Sequence, residues 1–343
     1  MKEAMFYEPL DEQRVHCYLC HHHCSIRNCN RGRCLVRENQ AGVLYSLVYG
    51  KIIAHHIDPI EKKPLFHFYP ASLAYSIATI GCNFSCSFCQ NFHISQAPQE
   101  KQAILGEEIS PKEIVQEAKQ YNCTSIAYTY TEPTIFYEFA YDVAKLAHKE
   151  GIKNVFITNG YMTEEALRTI SPYLDAANID LKGFTEEFYR KMCGARLQPV
   201  LDTIRLHKEL GIWIEVTTLI IPALNDSDDQ LRGIAEFLRD LGEEIPWHIT
   251  QFYPTYKLTD KPRTPVATLR RARKIGLEVG LRYVYEGNIP RTKGEHTYCY
   301  HCQALLIERD GFRIGKNVLN DSRCPNCNSE IDGIGLKESI NIS

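Results

Sequence analysis

The sequence predicts an α/β protein: a partial βα barrel of the (βα)6 type, flanked by small N-terminal and C-terminal cysteine-rich metal-binding modules. Two patterns predict this. In the middle of the chain short apolar runs alternate with helical periodicity, which implies βαβ units and a parallel sheet. Twelve of the 14 cysteines fall into three tight groups, one inside the alternating region and one on either side of it.

The pattern divides the 343 residues into a Cys/His-rich segment over 1–70, a barrel over 71–290 and a knuckle-like tail over 291–343. Strands are predicted near 73–79, 124–130, 153–158, 175–181, 212–220, 247–252 and 281–285. Helices are predicted near 110–120, 134–149, 163–171, 199–210, 228–241 and 265–279. Ser110 followed by Pro111 and Glu113, and Thr264 followed by Pro265, are helix-start signals. Gly151, Gly211 and Gly280 follow helix ends, where a left-handed cap is favoured. In barrels of this kind the chemistry sits at the C-terminal strand ends.

Composition narrows the function. With 39 Lys+Arg against 42 Asp+Glu, the formal charge of -3 disfavours binding nucleic acid or a membrane surface by bulk charge. No apolar run reaches the ~18–20 residues of a membrane span. The opening MKEAMFYEPLDEQRVH is acidic and polar, unlike a secretory signal, so the expected location is cytoplasmic. A reducing cytosol disfavours disulfides and turns 14 cysteines toward metal or redox use.

The central group, Cys82, Cys86 and Cys89 in GCNFSCSFCQN, directly follows the first barrel strand, at a catalytic loop position. Three thiolates on a [4Fe–4S] cube leave one iron open to a chelating small molecule. The alternatives are an electron-transfer cluster with a distant fourth ligand, or zinc completed by His93. Four later strand ends carry polar groups, each with an ordinary structural explanation. Glu132 precedes Pro133 and suits a helix start. Asn159-Gly160 is a common turn. Asp180 and Lys182 lie on one side of a strand and suit an ion pair. His248 in PWHITQFYP suits a satisfied core histidine.

A C-x3-C-x2-C motif after the first strand of a βα barrel resembles the radical S-adenosylmethionine (SAM) superfamily. The resemblance implies reductive cleavage of SAM, bound to the open iron, to a 5′-deoxyadenosyl radical, with a cellular reductant as electron donor. It implies that Phe88 packs near the adenine and that Glu132 accepts the SAM amino group. TNG, DLK and PWH, in that order, resemble the pyruvate formate-lyase activating type, which implies that Asn159, Asp180, Lys182 and His248 contact SAM or its surroundings. The chain departs from those activases at Ile157, where they carry Asp, and at LAYSIATIG, where they carry a Gly-rich, Arg-containing segment. Longer strings, CYLCHHHCSI, VYGKIIAHHIDPIEKKPLFHFYP, AYTYTEPTIF, TTLIIPALND and VYEGNIP among them, resemble the radical SAM enzyme of the AmmeMemoRadiSam system. That likeness implies Memo-like and AMMECR-like partner proteins and leaves the substrate open. The alternatives are a glycyl-radical-enzyme activase, a non-catalytic iron–sulfur electron-transfer or scaffold protein, and a protein that holds zinc throughout.

The tail carries two knuckles, Cys299-x2-Cys302 and Cys324-x2-Cys327, a four-thiolate signature for zinc or a rubredoxin-like iron. So short a module buries little core, so metal ligation is expected to supply its folding energy. At the other end Cys17, Cys20, Cys24 and Cys34 form a second quartet, with His21, His22 and His23 as substitutes. Zinc is the first expectation there and an auxiliary iron–sulfur cluster the second. Cys29 is a spare thiol, and Cys123 and Cys193 are expected to be buried small hydrophobes. His55, His56 and DPIEKKP are expected in a solvated loop that covers the barrel mouth.

Overall fold

The computed structural model describes residues 1–101, 103–290 and 292–336, so position 291 and the end of the predicted tail, 337–343, lie outside the described residues. All seven predicted strands form. They are β2 Leu73–Ala78, β3 Ser125–Tyr128, β4 Lys153–Thr158, β5 Ala176–Asp180, β6 Trp213–Ile220, β7 Trp247–Gln251 and β8 Val284–Gly287. Each lies parallel beside the next in chain order. Six helices separate them: α1 Pro111–Gln120, α2 Tyr137–Lys149, α3 Glu164–Ile170, α4 Leu197–Glu209, α5 Asp228–Leu241 and α6 Val266–Val279. The Ser110 start signal forms a capping box with Glu113, whereas the residue capping α6 is Pro265 rather than Thr264. Gly151, Gly211 and Gly280 all take positive φ after their helices, which a side chain would resist.

One further strand, β1 Ala54–Pro59, pairs antiparallel along the outside of β2. It contains His55 and His56, which are exposed as expected but lie on a strand rather than a loop, whereas Asp58, Glu61 and Lys63 of DPIEKKP are buried and not solvated. An edge strand whose side chains His55, His56 and Ile57 are exposed has no apolar alternation to mark it. The order β8-β7-β6-β5-β4-β3-β2-β1 gives an open, barrel-like sheet.

Small residues on one face, Ala74, Ala127 and Ala176 with Val155, leave room for Ile60, Leu65 and Phe68, so the segment after β1 packs across the sheet. Polar contacts fix it there: Asn178 Nδ2 donates to the Pro64 carbonyl at 2.7 Å, and the amides of Phe66 and His67 donate to Glu215 at 3.0 and 2.7 Å. The tail docks on the same segment, with Tyr69 N donating to Ile334 O at 2.7 Å and Ile334 N to His67 O at 2.8 Å. The N-terminal segment forms two small three-stranded sheets and is joined to α2 by the buried pair Arg37–Glu138 at 2.9 Å. Among the described residues no helix is long and apolar enough to cross a membrane.

Candidate active site

The Cys82–Cys89 loop leaves β2 through Gly81, whose φ is +100° and whose added Cβ would stand 2.8 Å from Val36 Cγ1. The loop therefore sits directly against the N-terminal segment. From the other side the π-helical turn Tyr189–Cys193 holds it: Ser85 N donates to Cys193 O and Ser87 N to Met192 O, both at 3.0 Å. Such turns recur at functional sites. Cys86 is buried, and Cys82 and Cys89 are half-buried. Burial pushes the Cys82 thiol well up, and the nearby Glu132 charge adds to that. Cys86 is drawn down, first by its hydrogen bond with Cys193 and then by the Lys182 charge, against its burial.

Beyond the loop, three strand ends converge. Glu132, after β3, accepts at Oε1 from Thr134 N (3.0 Å), Thr134 Oγ1 (2.6 Å) and Thr158 Oγ1 (2.8 Å), and at Oε2 from Asn159 N (2.8 Å). It is thus both the cap of the following turn and the clamp between the ends of β3 and β4. Burial raises its pKa, and these donors oppose the rise. Asn159 Nδ2 donates to Asn83 Oδ1 at 2.7 Å and stands 3.9 Å from Cys82 Sγ. Asn159 Oδ1 and Asn83 Nδ2 are buried with no partner. After β5, Lys182 Nζ bonds Asp180 at 2.9 Å. Burial works against the Lys182 charge, but Asp180, Cys86 and Cys193 outweigh it and hold its pKa well up.

The structure thus gathers Cys82, Glu132 and Asn159 in one group and Cys86, Asp180 and Lys182 in another. Phe88 is buried with its ring 5.9 Å from Phe188. His248 is placed differently. Its Nε2 lies 2.6 Å from Glu215 Oε2, with Phe66 and Tyr285 rings 4.7 and 5.2 Å away. It makes the contacts of a satisfied core histidine, bound to the segment packed across the sheet.

Several residues of this region have roles that the sequence did not assign. Glu215 organises four donors from inside β6, and a lone carboxylate in IWIEVTTLI is the signal that would have found it. Asp58 is hydrogen-bonded by Lys62, Lys63 and Tyr130, which hold its carboxyl below the usual range despite burial. Cys193 is buried, as expected, but against Cys86.

The two outer quartets differ in geometry. In the tail, Cys299 and Cys327 sulfurs stand 3.6 Å apart, as do those of Cys302 and Cys324, and all four lie within 4.8 Å of one another. That spacing suits one tetrahedral ion, whose ~2.3 Å metal–sulfur bonds put thiolates about 3.8 Å apart. At the N-terminus Cys17, Cys20, Cys24 and Cys34 line one cavity with His22, Arg37 and Asn83. Cys29 is exposed and bonds Asn28.

Comparison with known proteins agrees with this geometry. Residues 76–238 match the model of the radical SAM superfamily, starting within β2 and spanning the cysteine loop. An uncharacterized protein of Methanocaldococcus jannaschii is 52% identical over 335 residues, 97% of this chain and 99% of that protein. Pyruvate formate-lyase 1-activating enzyme of Escherichia coli is 25% identical over 179 residues, 49% of this chain and 71% of the enzyme. A radical SAM methyltransferase from Sphaerobacter thermophilus shares the fold, with TM-score 0.50 and 18% identity over 65% of this chain and 68% of that one. With its three-cysteine loop at the head of a parallel α/β sheet inside the matched region, the chain belongs to the radical SAM superfamily of enzymes.

Proposed function

We propose that this chain cleaves SAM reductively at a [4Fe–4S] cluster held by Cys82, Cys86 and Cys89, and that it is the radical SAM enzyme of an AmmeMemoRadiSam system acting on an unidentified substrate. The observation that carries the reading is the pair of partnerless amide atoms, Asn159 Oδ1 and Asn83 Nδ2, buried beside Cys82. Buried polar atoms without partners are rare, and here they suit a polar ligand. When bound, the cluster supplies the electron that splits SAM into methionine and a 5′-deoxyadenosyl radical. The chain's own residues bind and orient. The Glu132 carboxylate, held by four donors, is a fixed acceptor for the SAM ammonium. Asn159 joins that carboxylate to the cysteine loop, and the Asp180–Lys182 pair flanks Cys86. Phe88, buried against Phe188, would pack near the adenine. The resemblance of the long strings to the AmmeMemoRadiSam enzymes supports Memo-like and AMMECR-like partners. A cellular one-electron reductant is the remaining partner, and a cytoplasmic location fits the thiol-rich sequence.

The test is anaerobic reconstitution with iron and sulfide, followed by dithionite and SAM, with 5′-deoxyadenosine quantified beside Cys86→Ala. Product from the parent and none from the variant is expected. A parent that holds a four-iron cluster yet cleaves no SAM, even with cell extract as substrate source, sinks the reading. A glycyl-radical activase is the second reading, favoured by the similarity to the Escherichia coli activating enzyme. Spin on a partner glycine would support it.

A further inference from the structure

The N-terminal quartet is built around a void. Antiparallel pairing sets Cys17 opposite Cys24. A tight turn returns the chain after Cys20, with His23 N donating to Cys20 O at 3.1 Å, and the turn closed by Leu35 N to Gly32 O at 2.8 Å delivers Cys34. The four thiols line a cavity of about 20 Å³, which admits roughly one water-sized sphere. Among the described residues, the tail quartet is the only set of three or more His, Cys, Asp or Glu ligand atoms within 4.8 Å of one another. The N-terminal thiols therefore stand further apart than a single tetrahedral ion would hold them. A cuboidal cluster, with its own iron and sulfide between the thiolates, needs that wider spacing.

The cavity wall carries a second signal. Arg37 is 2% exposed, and its Nη2 is used by Glu138 at 2.9 Å and Met5 O at 2.5 Å. Its Nε and Nη1 are buried with no partner, and the residue lines the thiol cavity. A buried cation with two unpartnered nitrogens beside four thiols suits an anionic occupant with sulfur acceptors.

We propose that Cys17, Cys20, Cys24 and Cys34 hold an auxiliary [4Fe–4S] cluster, in place of the zinc first expected there, and that it passes electrons to the cluster at Cys82, Cys86 and Cys89. Four protein thiolates leave no iron open for substrate, which leaves a structural role or electron transfer, and the nearness of the two cysteine loops favours electron transfer. The two cysteine loops touch. Asn83 follows Cys82 and lines the N-terminal cavity, while Cys34 and Cys82 line one cleft of about 260 Å³. In the transfer a low-potential one-electron donor of the ferredoxin or flavodoxin class takes the auxiliary cluster from the 2+ to the 1+ state. That electron then reduces the second cluster from 2+ to 1+ and returns the first to 2+, with no bond made or broken. The relay rests on the proposed SAM chemistry; the cluster itself does not.

The experiment uses the full chain. After anaerobic reconstitution the parent should hold about eight irons and eight sulfides besides any tail metal, from two Cys-bound [4Fe–4S] sites. The Cys82→Ala/Cys86→Ala/Cys89→Ala variant should keep about four of each, with a reduced paramagnetic signal that SAM leaves unchanged. Zinc without sulfide in that variant overturns the proposal. Should the variant not fold, iron counting on the parent decides, since about four irons would be fatal. For the relay, Cys20→Ser/Cys34→Ser should slow reduction of the remaining cluster by reduced ferredoxin at least tenfold, while dithionite still reduces it. Equal ferredoxin rates overturn the relay. A parent that holds both clusters but cleaves no SAM would defeat the proposed function and leave the auxiliary site standing.

Discussion

The side-chain amide of Asn159 donates to Asn83 Oδ1 at 2.7 Å while its backbone N–H donates to Glu132 at 2.8 Å, so one residue ties the end of β4 both to the cysteine loop and to the end of β3. Its free Oδ1 points to a ligand contact. Asn159→Ala is expected to retain the Cys82 cluster but to weaken SAM binding about tenfold, the scale of one lost buried hydrogen bond. Equilibrium dialysis with the reconstituted protein measures it. The SAM-induced change in the reduced cluster's spectrum should fade in parallel. Unchanged affinity would leave Asn159 a purely structural tie.

Glu132 makes a sharper test, because four donors surround its carboxylate. In Glu132→Gln one oxygen becomes an NH2 facing a donor, so the fold should lose about 1–3 kcal/mol. A cap-only role predicts that loss and nothing more. If the carboxylate also receives the SAM ammonium, the rise in melting temperature that saturating SAM gives the parent should disappear in the variant. Thermal melts with and without SAM separate the two.

For His248 the resemblance and the geometry point in different directions. Its Nε2 bond to Glu215, and the bonds from Glu215 to Phe66 and His67, anchor the segment that packs across the sheet. Glu215→Leu should cost about 3–5 kcal/mol by breaking a buried charged network. His248→Gln should leave 5′-deoxyadenosine formation per cluster nearly unchanged while lowering the unfolding midpoint. Loss of SAM cleavage in a folded His248→Gln protein would restore the contact expected from sequence.

What the sequence reveals is what repeats. Seven strands and six helices are legible because each apolar run and each amphipathic stretch pairs with its chain neighbour, so local pattern and fold agree. The strand Ala54–Pro59 is hidden because the exposed His55 and His56 give it no buried face of its own. Glu215 and Arg37 are hidden for another reason: their partners, His248 and Glu138, are 33 and 101 residues away, and no local rule links them. The cysteine groups are legible as groups, yet spacing along the chain does not encode how far apart the sulfurs stand. That distance separates the tail quartet from the N-terminal one.

The tail offers a prediction about metal removal. Its core is small, centred on Leu306, Ile307, Leu319 and Ile331 with Cys299 and Cys324, and is completed by Phe66, Tyr283 and Tyr285 from the barrel side. Cys302→Ser should abolish metal binding there and leave the tail open to proteolysis between the knuckles. The barrel should stay folded, because most of its sheet and helices pack in the larger core. Limited proteolysis with mass spectrometry reads this out, and a tail equally resistant without its metal would show that docking through Asp332 and Arg282 suffices.

The pH dependence of stability should carry the mark of His207. This residue sits buried on α4, its Nδ1–H donating to the Thr203 carbonyl at 2.8 Å, and burial lowers its pKa from 6.5 to about 4. The unfolded chain takes up a proton as pH falls through 6.5, while the folded protein refuses it until about 4. Protonation therefore favours the unfolded state across that window, and the stability present above pH 6.5 declines toward pH 4. Between pH 7 and pH 5 this one group should cost about 2 kcal/mol. His22 and His67 are lowered to about 4 by burial as well and push in the same direction, so the parent alone cannot isolate His207. His207→Leu does, because the other two remain. The variant should be less stable at pH 7, having lost the imidazole's hydrogen bond to the Thr203 carbonyl, yet lose about 2 kcal/mol less than the parent on acidification. Urea titrations of both proteins at the two pH values measure the difference, and parallel losses would mean that water reaches the imidazole in the folded state.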